Sequence, residues 1–580
     1  MAYKLKSCTD FGDINRELRE IFDRFSQLVT NDNGNTTALA DAISGAFLAF
    51  SRGLTVQPPT RDSAGINAAI GTINLIGNGR GTVMYEDAAY DITAGIALSS
   101  NISHIGVAPK LDFTTNIPDA TSVSGGTRFN LAAGVTGFYF NNTDILSANQ
   151  ASPLAPTACS NVEIGYITFL GGKSAIDTGA NNAMGLVYSH MHDLYAYNPT
   201  GEAFNYENFQ NCSFGNHFVR NTQAVGDGAP RGGIFFRMSI DLSAQANTLI
   251  PGNSNLYGIF YTLGGVRQTR HLVFECKNGA QMNEVRVTGY PQSNRYGAAA
   301  VISVTCVTTT GSPDITVSDP TQFADCQVGM PIVFLGTAPN PVSQYVTYWV
   351  YSRNTTNNTI QLANVPLASS AMTMNATNTY TATIGGYPGL EIHADATSLI
   401  TNSYFGDVGT EMYYGTVSAS FRRLRQCTVG IAGYFPSQAK STLVCRDSNI
   451  AVRMLKIDNI GRCDYDGLGQ FTIHNLIASD SIVTAGRTLT AADHGATIMY
   501  NSATDGTFTI PGDLVYGFKC QFVQLGAGVI TIAAGGGATV ASRAGGLRSA
   551  GVNAELRLRQ KTLSMNAYAS TYALSGDTQV

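Results

Sequence analysis

Apolar and polar residues alternate over short runs along most of this chain. In "FQNCSFG", Phe209 to Gly215, Cys212 and Phe214 share one face of an extended strand and Ser213 takes the other. The phrase returns as "ITNSYFG" (Ile400–Gly406) and "LRQCTVG" (Leu424–Gly430). Each copy has an amide third (Asn211, Asn402, Gln426), a small residue fourth (Cys212, Ser403, Cys427), an apolar residue sixth and glycine seventh. Looser copies are "NEVRVTG" (Asn283–Gly289) and "SNIAVRMLKIDNIG" (Ser448–Gly461). A strand-and-turn phrase recurring at about two dozen residues marks a solenoid. With no helical pattern between the copies, the expected solenoid is a parallel β-helix, its amides laddered at turns and its small and apolar positions stacked inward. Ser403 and Cys427 should then be vertical neighbours.

The pattern divides the chain. In residues 10–29, Ile14, Leu18, Ile21, Phe25 and Leu28 are spaced 4, 3, 4, 3, a heptad seam flanked by charges. A short coiled coil is expected there, within an N-terminal helical segment over 1–55. Strand-like rungs are expected over 56–300 and again over 386–485. Between them, 301–385 turn Thr-, Val- and Asn-rich with hairpin signals, which predicts an inserted small β-module. Its Trp349, the single tryptophan, reads as core rather than as a sugar platform. From 486 to 580, strict alternation cut by Gly and Asn-Ser turns predicts a separate C-terminal β domain. The fold class is all-β.

Composition narrows the partners. Charged residues are 13%, about half the usual share, and the net charge is −5. Neither nucleic acid nor an anionic membrane is an expected partner. There is no run of 18 apolar residues and no apolar h-region near the N-terminus. The ten cysteines contain no CxxC and read as buried thiols in a chain made in a reducing cytosol. "GGKS" (Gly171–Ser174) has Ile167 where a P-loop needs glycine, and "GNGRG" (Gly77–Gly81) and "DYDGLG" (Asp464–Gly469) read as turns. His190 and His192 share a strand face, but no third ligand stands at a standard spacing, so no metal and no cofactor is expected.

One constellation carries chemistry. In "GLEIHADAT", Leu390, Ile392 and Ala394 point inward on a rung, leaving Glu391, His393 and Asp395 together on the solvent side. Asp407 and Glu411 follow a turn later. Carboxylates on the same or adjacent rungs can reach the roughly 5–9 Å separations of glycosidases, one protonating the glycosidic oxygen and the other activating water or attacking the anomeric carbon. Glu391, Asp395, Asp407 and Glu411 are therefore the catalytic candidates. His393, Glu202, Tyr206, Glu207 and Asp227, the last in "VGDGAPRGG", are candidates for substrate contact.

"INAAIGTINLIGNGRGTVMYEDAAYDIT" (Ile66–Thr93) followed by "IALSSNISHIGV" resembles the opening of pectate-lyase-like β-helix proteins: a short helix, a Gly-rich turn, then a Thr-Val-type strand. Here Glu86-Asp87-Ala88-Ala89-Tyr90 replaces that family's usual Leu-Pro-x-Gly-x-Tyr. With the repeated phrase and the heptad start, the chain resembles bacteriophage tailspike proteins over roughly 10–300 and 386–480. The resemblance implies a right-handed parallel β-helix in a homotrimer, joined to the phage tail or baseplate through its N-terminus. It would be made in the host cytoplasm, carried on the virion tail, and act on a bacterial surface polysaccharide, capsule or O-antigen. Hydrolysis by paired carboxylates is the expected activity. A non-enzymatic receptor-binding fibre and a polysaccharide lyase of the same fold stay open.

Overall fold

The computed structural model describes residues 54–77, 79–111, 123–140, 157–179, 184–221, 232–239, 254–264, 269–288, 290–295, 302–334, 338–342, 346–409, 417–433, 441–457, 460–465, 471–474, 481–490, 493–512, 514, 518–543, 545–562 and 570–579. The heptad segment and residues 1–53 of the expected N-terminal helical segment, Asp227 and Glu411 lie outside them, and Thr55 at the end of that segment begins a strand, Thr55–Val56. The protein is predominantly β-structure with extensive parallel sheets. One helix, Ser63–Ile76, precedes the first tiers. Asp62 caps it by accepting from Gly65 N at 2.7 Å, and Ile66, Ala69, Ile70 and Ile73 form its buried stripe.

The strands stack tier upon tier. In a ten-stranded parallel sheet the order from Ile96–Leu98 to Ile460–Tyr465 follows the chain without exception. Beside it, Ser213, Asn255, Arg286, Tyr404 and Thr428 pair in succession, which puts Phe214, Leu256, Val287, Phe405 and Val429 in one buried column. Thr428 N donates to Ser403 O at 3.0 Å, so Ser403 and Cys427 occupy successive tiers as expected.

The repeated phrase has a physical reason. Its third residue is a corner in the left-handed region: φ is 50° at Asn211, 48° at Asn402 and 55° at Gln426. Asn101, Asn161, Tyr188 and Glu284 adopt the same conformation. Most L-residues resist it by about 1–2 kcal/mol, and asparagine resists it least after glycine. The amides also bond between tiers: Asn161 Nδ2 donates to Asn101 Oδ1 at 3.1 Å and Asn402 Nδ2 to Asn283 Oδ1 at 3.0 Å. The fourth residue is small because its side chain closes the corner from inside. Ser403 Oγ donates to Thr401 O at 2.8 Å and accepts from Val285 N of the neighbouring tier at 3.2 Å. Ser189 and Ser254 serve Val162 N and Cys212 N likewise.

Residues 302–384 form a closed antiparallel barrel of six strands, packed around Ile315, Ile332, Phe334, Ile360, Leu362 and Ile384. The tiers resume across it, since Leu272 pairs with Leu390 and Arg286 with Tyr404. Towards the C-terminus, Ile498 pairs in parallel with Phe522 in a six-stranded sheet that continues through the antiparallel Glu555–Thr562 and Ser570–Gly576 to Ala538–Ser542, and Phe508 pairs in parallel with Ile532 in a four-stranded sheet. These parallel pairs keep the 24-residue step, but among the described residues they lie in sheets that no pairing joins to the stack before Ser481. A single buried apolar cluster includes Ile66, Phe214, Phe405, Phe522 and Leu574. Cys159, Cys212, Cys276, Cys306, Cys326, Cys427, Cys445 and Cys520 are buried thiols.

The corner account predicts that Asn402→Val, which places a β-branched residue at φ 48°, loses about 1–3 kcal/mol in urea unfolding. Asn402→Gly should lose no more than a few tenths beyond the missing amide bond. Equal stability of the two variants contradicts the account.

Candidate functional site

Alternation on the ten-stranded sheet fixes which side chains leave the core. Outward positions align as Glu207, Arg237, Glu275, His393, Arg422 and Arg446 in one column. Asp177, Asn205, Phe235, Val273, Glu391 and Ser420 form the column beside it. The strand periodicity is as the sequence implied, but much of this face is not in solvent. Arg422 Nη1 donates to the carbonyls of Pro366 and Leu367, and Arg446 Nη2 reaches Thr347 O at 3.3 Å. Trp349 is buried against Val444 with the Arg446 guanidinium 5.6 Å from its ring. All four barrel residues belong to the inserted module, so the insertion covers the sheet where Glu391 and His393 emerge.

That cover changes the role of the expected acids. Glu391 is 2% exposed and takes a two-pronged ion pair from Arg270, at 2.9 and 2.7 Å. Arg270 also holds Glu275 at 2.8 Å, and Arg237 bridges Glu275 to Glu202. With Lys277, 2.9 Å from Glu275, three cations balance three carboxylates. Burial would raise the Glu275 carboxyl, but Arg270, Lys277 and Arg237 overcome it and hold it well below the usual range. Glu391 meets fewer cations, so burial prevails over Arg270 and its carboxyl lies above the usual range. His393 bonds Ser420 Oγ and is kept neutral by burial, its pKa lowered to about 3.

The sequence candidates therefore separate. Glu391 and His393 belong to a buried network, not to a solvent face, because the insertion sits on them. Asp395 accepts from Asn278 N, Thr397 N and Ser398 N and locks a turn. Glu202 is committed to Arg237. Tyr206 points inward, is fully buried, and bonds the buried His217, so it cannot touch a substrate. The side chain of Asp407 lies outside the described residues.

Among the described residues Glu207 makes no ion pair with the cationic network, although Arg237 stands opposite it in the next tier, and its neighbour Asp177 was not among the sequence candidates. Asp177 ends the strand Ser174–Asp177 on the preceding tier. A methyl at Gly179 would lie 2.3 Å from Glu207 Oε2, 2.5 Å from Asn205 Nδ2 and 3.3 Å from Asp177 Oδ1, so these side chains close in on a position only glycine fits. Asn205 sits at its edge, its Nδ2 donating to Asp177 Oδ1 at 2.9 Å and its Oδ1 accepting from Arg237 at 3.0 Å. Gly179 N also donates to Asp177 Oδ1, at 3.0 Å. Ser239 Oγ donates to Glu207 Oε1. Burial raises the Glu207 carboxyl, the Ser239 bond and the Arg237 charge oppose this, and the nearby Asp177 adds to it. One carboxyl biased toward its protonated form beside another oriented by two donors is an acid and nucleophile arrangement. The signal available in "SAIDTG" was only that Asp177 is outward and one tier from Asn205 and Glu207. Compared with known proteins, the chain matches no family model and no curated protein.

Replacing Arg270 by Met should leave the buried Glu391 without its guanidinium, while Glu275 keeps Arg237 and Lys277, and cost about 3–5 kcal/mol, read as a lower urea midpoint. Adding Glu391→Gln to that variant should recover part of the loss. An Arg270→Met protein as stable as the parent would show that the network is not buried under the barrel.

Proposed function

We propose that this protein is a polysaccharide depolymerase of the bacteriophage tailspike type, built on a right-handed parallel β-helix and hydrolysing glycosidic bonds with Asp177 and Glu207. The observation that carries this reading is the carboxylate pair around Gly179, with Glu207 raised and Asp177 oriented by Asn205. With Asp177 attacking directly, the reaction would be of the retaining kind. Glu207 would protonate the glycosidic oxygen while Asp177 attacks the anomeric carbon and forms a glycosyl ester. The Glu207 carboxylate would then take a proton from the water that cleaves that ester, restoring both groups.

A rigid stack of tiers suits a repeating polymer, which can lie across several of them, and a charge-poor chain suits a neutral or weakly charged sugar surface. The heptads over 10–29 support a trimer joined to a phage tail or baseplate, with the virion tail as the place of action and a bacterial capsule or O-antigen as substrate. A lyase reading has less support, since the pair consists of two acids rather than a Lys, Arg, His or Tyr base.

Incubating the protein with polysaccharides of candidate hosts should release short oligosaccharides whose new reducing ends keep the anomeric configuration, visible by NMR. Glu207→Gln and Asp177→Asn should each lower the rate by about 10²–10⁴-fold while polymer binding persists. Glu391→Gln and Asp395→Asn should leave cleavage in place. Loss of cleavage in Asp407→Asn or Glu411→Gln, with Glu207→Gln active, would transfer the chemistry to the later tiers. Binding without cleavage of every matched polymer would favour a receptor-binding fibre.

The acid role of Glu207 also fixes a pH dependence. Activity should fall as pH rises through the raised Glu207 pKa, because the acid loses its proton. Ser239→Ala removes a bond that lowers that pKa and should move the alkaline limb of kcat/KM to higher pH. A limb that stays fixed or moves down contradicts the assignment.

A further inference from the structure

A second cluster lies on another sheet and owes nothing to the carboxylate pair. Strands Glu163–Gly171 and His190–Tyr197 run parallel with Glu163 opposite His190. The sequence offered no third partner for His190 and His192 because that partner comes from the preceding tier. Glu163 Oε1 is 3.6 Å from His190 Nδ1 and 3.1 Å from His192 Nε2. One ligand atom from each of the three lies within 4.8 Å of the others. Tetrahedral zinc, with bonds of about 2.0–2.2 Å, sets its ligand atoms roughly 3.3 Å apart, so both edges to Glu163 already have that length.

The far nitrogens are occupied as a metal site requires. His192 Nδ1 donates to Asp193 Oδ2 at 2.8 Å, and Asp193 Oδ1 accepts from Asn216 Nδ2 at 2.8 Å. His190 Nε2 meets the Tyr257 hydroxyl. A carboxylate or hydroxyl behind each imidazole fixes the tautomer and strengthens the near nitrogen as a ligand. Asp193 reaches its neighbour because its backbone turns left-handed, φ 52°. The His192 ring fits because position 165 is glycine: a Cβ there would lie 2.5 Å from Cε1. A plain hydrogen bond between Glu163 and His192 accounts for one of these contacts. It leaves unexplained why the His190 ring turns its near nitrogen to the same oxygen while both far nitrogens are engaged.

We propose that Glu163, His190 and His192 form a three-ligand site for a divalent cation of the zinc class. The His192 side chain is 8% exposed, but those of His190 and Glu163 are 37% and 45% exposed, so a fourth position opens to solvent. Water or an anionic oxygen of a ligand would complete the tetrahedron there. Tyr188, 61% exposed, and Tyr257, 38% exposed, follow on from His190 and its contact. The cation would also tie one tier to the next.

The test is Co²⁺ titration of the full-length, tag-free protein after chelation. The expected result is one equivalent per chain with the visible absorption of tetrahedral cobalt, displaced by Zn²⁺. Asp193→Asn should weaken affinity about 10–100-fold without changing stoichiometry. The His190→Ala/His192→Ala double variant should lose the signal, with its folding checked by circular dichroism. If that variant does not fold, Zn²⁺ should instead protect His190 and His192 of the unaltered protein from diethyl pyrocarbonate, mapped by mass spectrometry. Absence of stoichiometric cobalt binding, binding that survives the double variant, or labelling unaffected by Zn²⁺ overturns the proposal.

Discussion

The left-handed corner is the constraint on which the structure rests. A parallel stack needs the chain to change direction at nearly the same place in every tier, since a shift of one residue would turn inward side chains outward. Asn101, Asn161, Asn211 and Asn402 make that turn in the conformation asparagine tolerates best, and Gln426 repeats it with a longer amide. Each corner is then tied to its neighbours through backbone bonds, amide ladders and the serines beneath them. Register held at the corner puts Phe214, Phe405 and Val429 into one column, and the same register decides which polar groups meet on the outside.

The outside of the ten-stranded sheet shows how such a surface is divided. Arg237, Arg270 and Lys277 neutralise Glu202, Glu275 and Glu391, and on the tiers that follow, the inserted barrel's own carbonyls receive Arg422 and Arg446. Charges this deeply buried persist only when each has its counter-charge. Earlier in the stack the counter-charges are more distant: Lys173 lies 3.9 Å from Asp177, and Arg237 and Lys277 act on Glu207 without outweighing its burial. Asp177 and Glu207 face each other with Asn205 and Ser239 as their main supports, and the result is a carboxyl held above its usual range. Glu391 is also held above its usual range, so what separates Glu207 from it is the two-pronged Arg270 ion pair that Glu391 makes and Glu207 does not.

Much of the fold could be read directly. Three copies of a seven-residue phrase implied the tiers, and the neighbouring positions of Ser403 and Cys427 followed. The change of composition at 301 and the return at 386 bracket the barrel. The site was less legible, for physical reasons. Alternation correctly put Glu391 and His393 outside the core, but nothing in "GLEIHADAT" says that Arg270 will bury against Glu391 or that the inserted barrel will lie over the neighbouring Arg422 and Arg446. Asp177 and Glu207 meet only because tiers of unequal length bring them together, and "SAIDTG" holds no catalytic signature. Glu163 joins His190 and His192 by the same route. Spacing rules drawn from helices and hairpins do not see ligands contributed by stacked strands.

The most direct test of the central claim is a crystal structure of Glu207→Gln soaked with an oligosaccharide cut from the host polymer. The account predicts a sugar spanning the gap at Gly179, its glycosidic oxygen within hydrogen-bonding distance of residue 207 and its anomeric carbon facing Asp177. A sugar seated elsewhere on the protein, with that gap filled only by water, would contradict it.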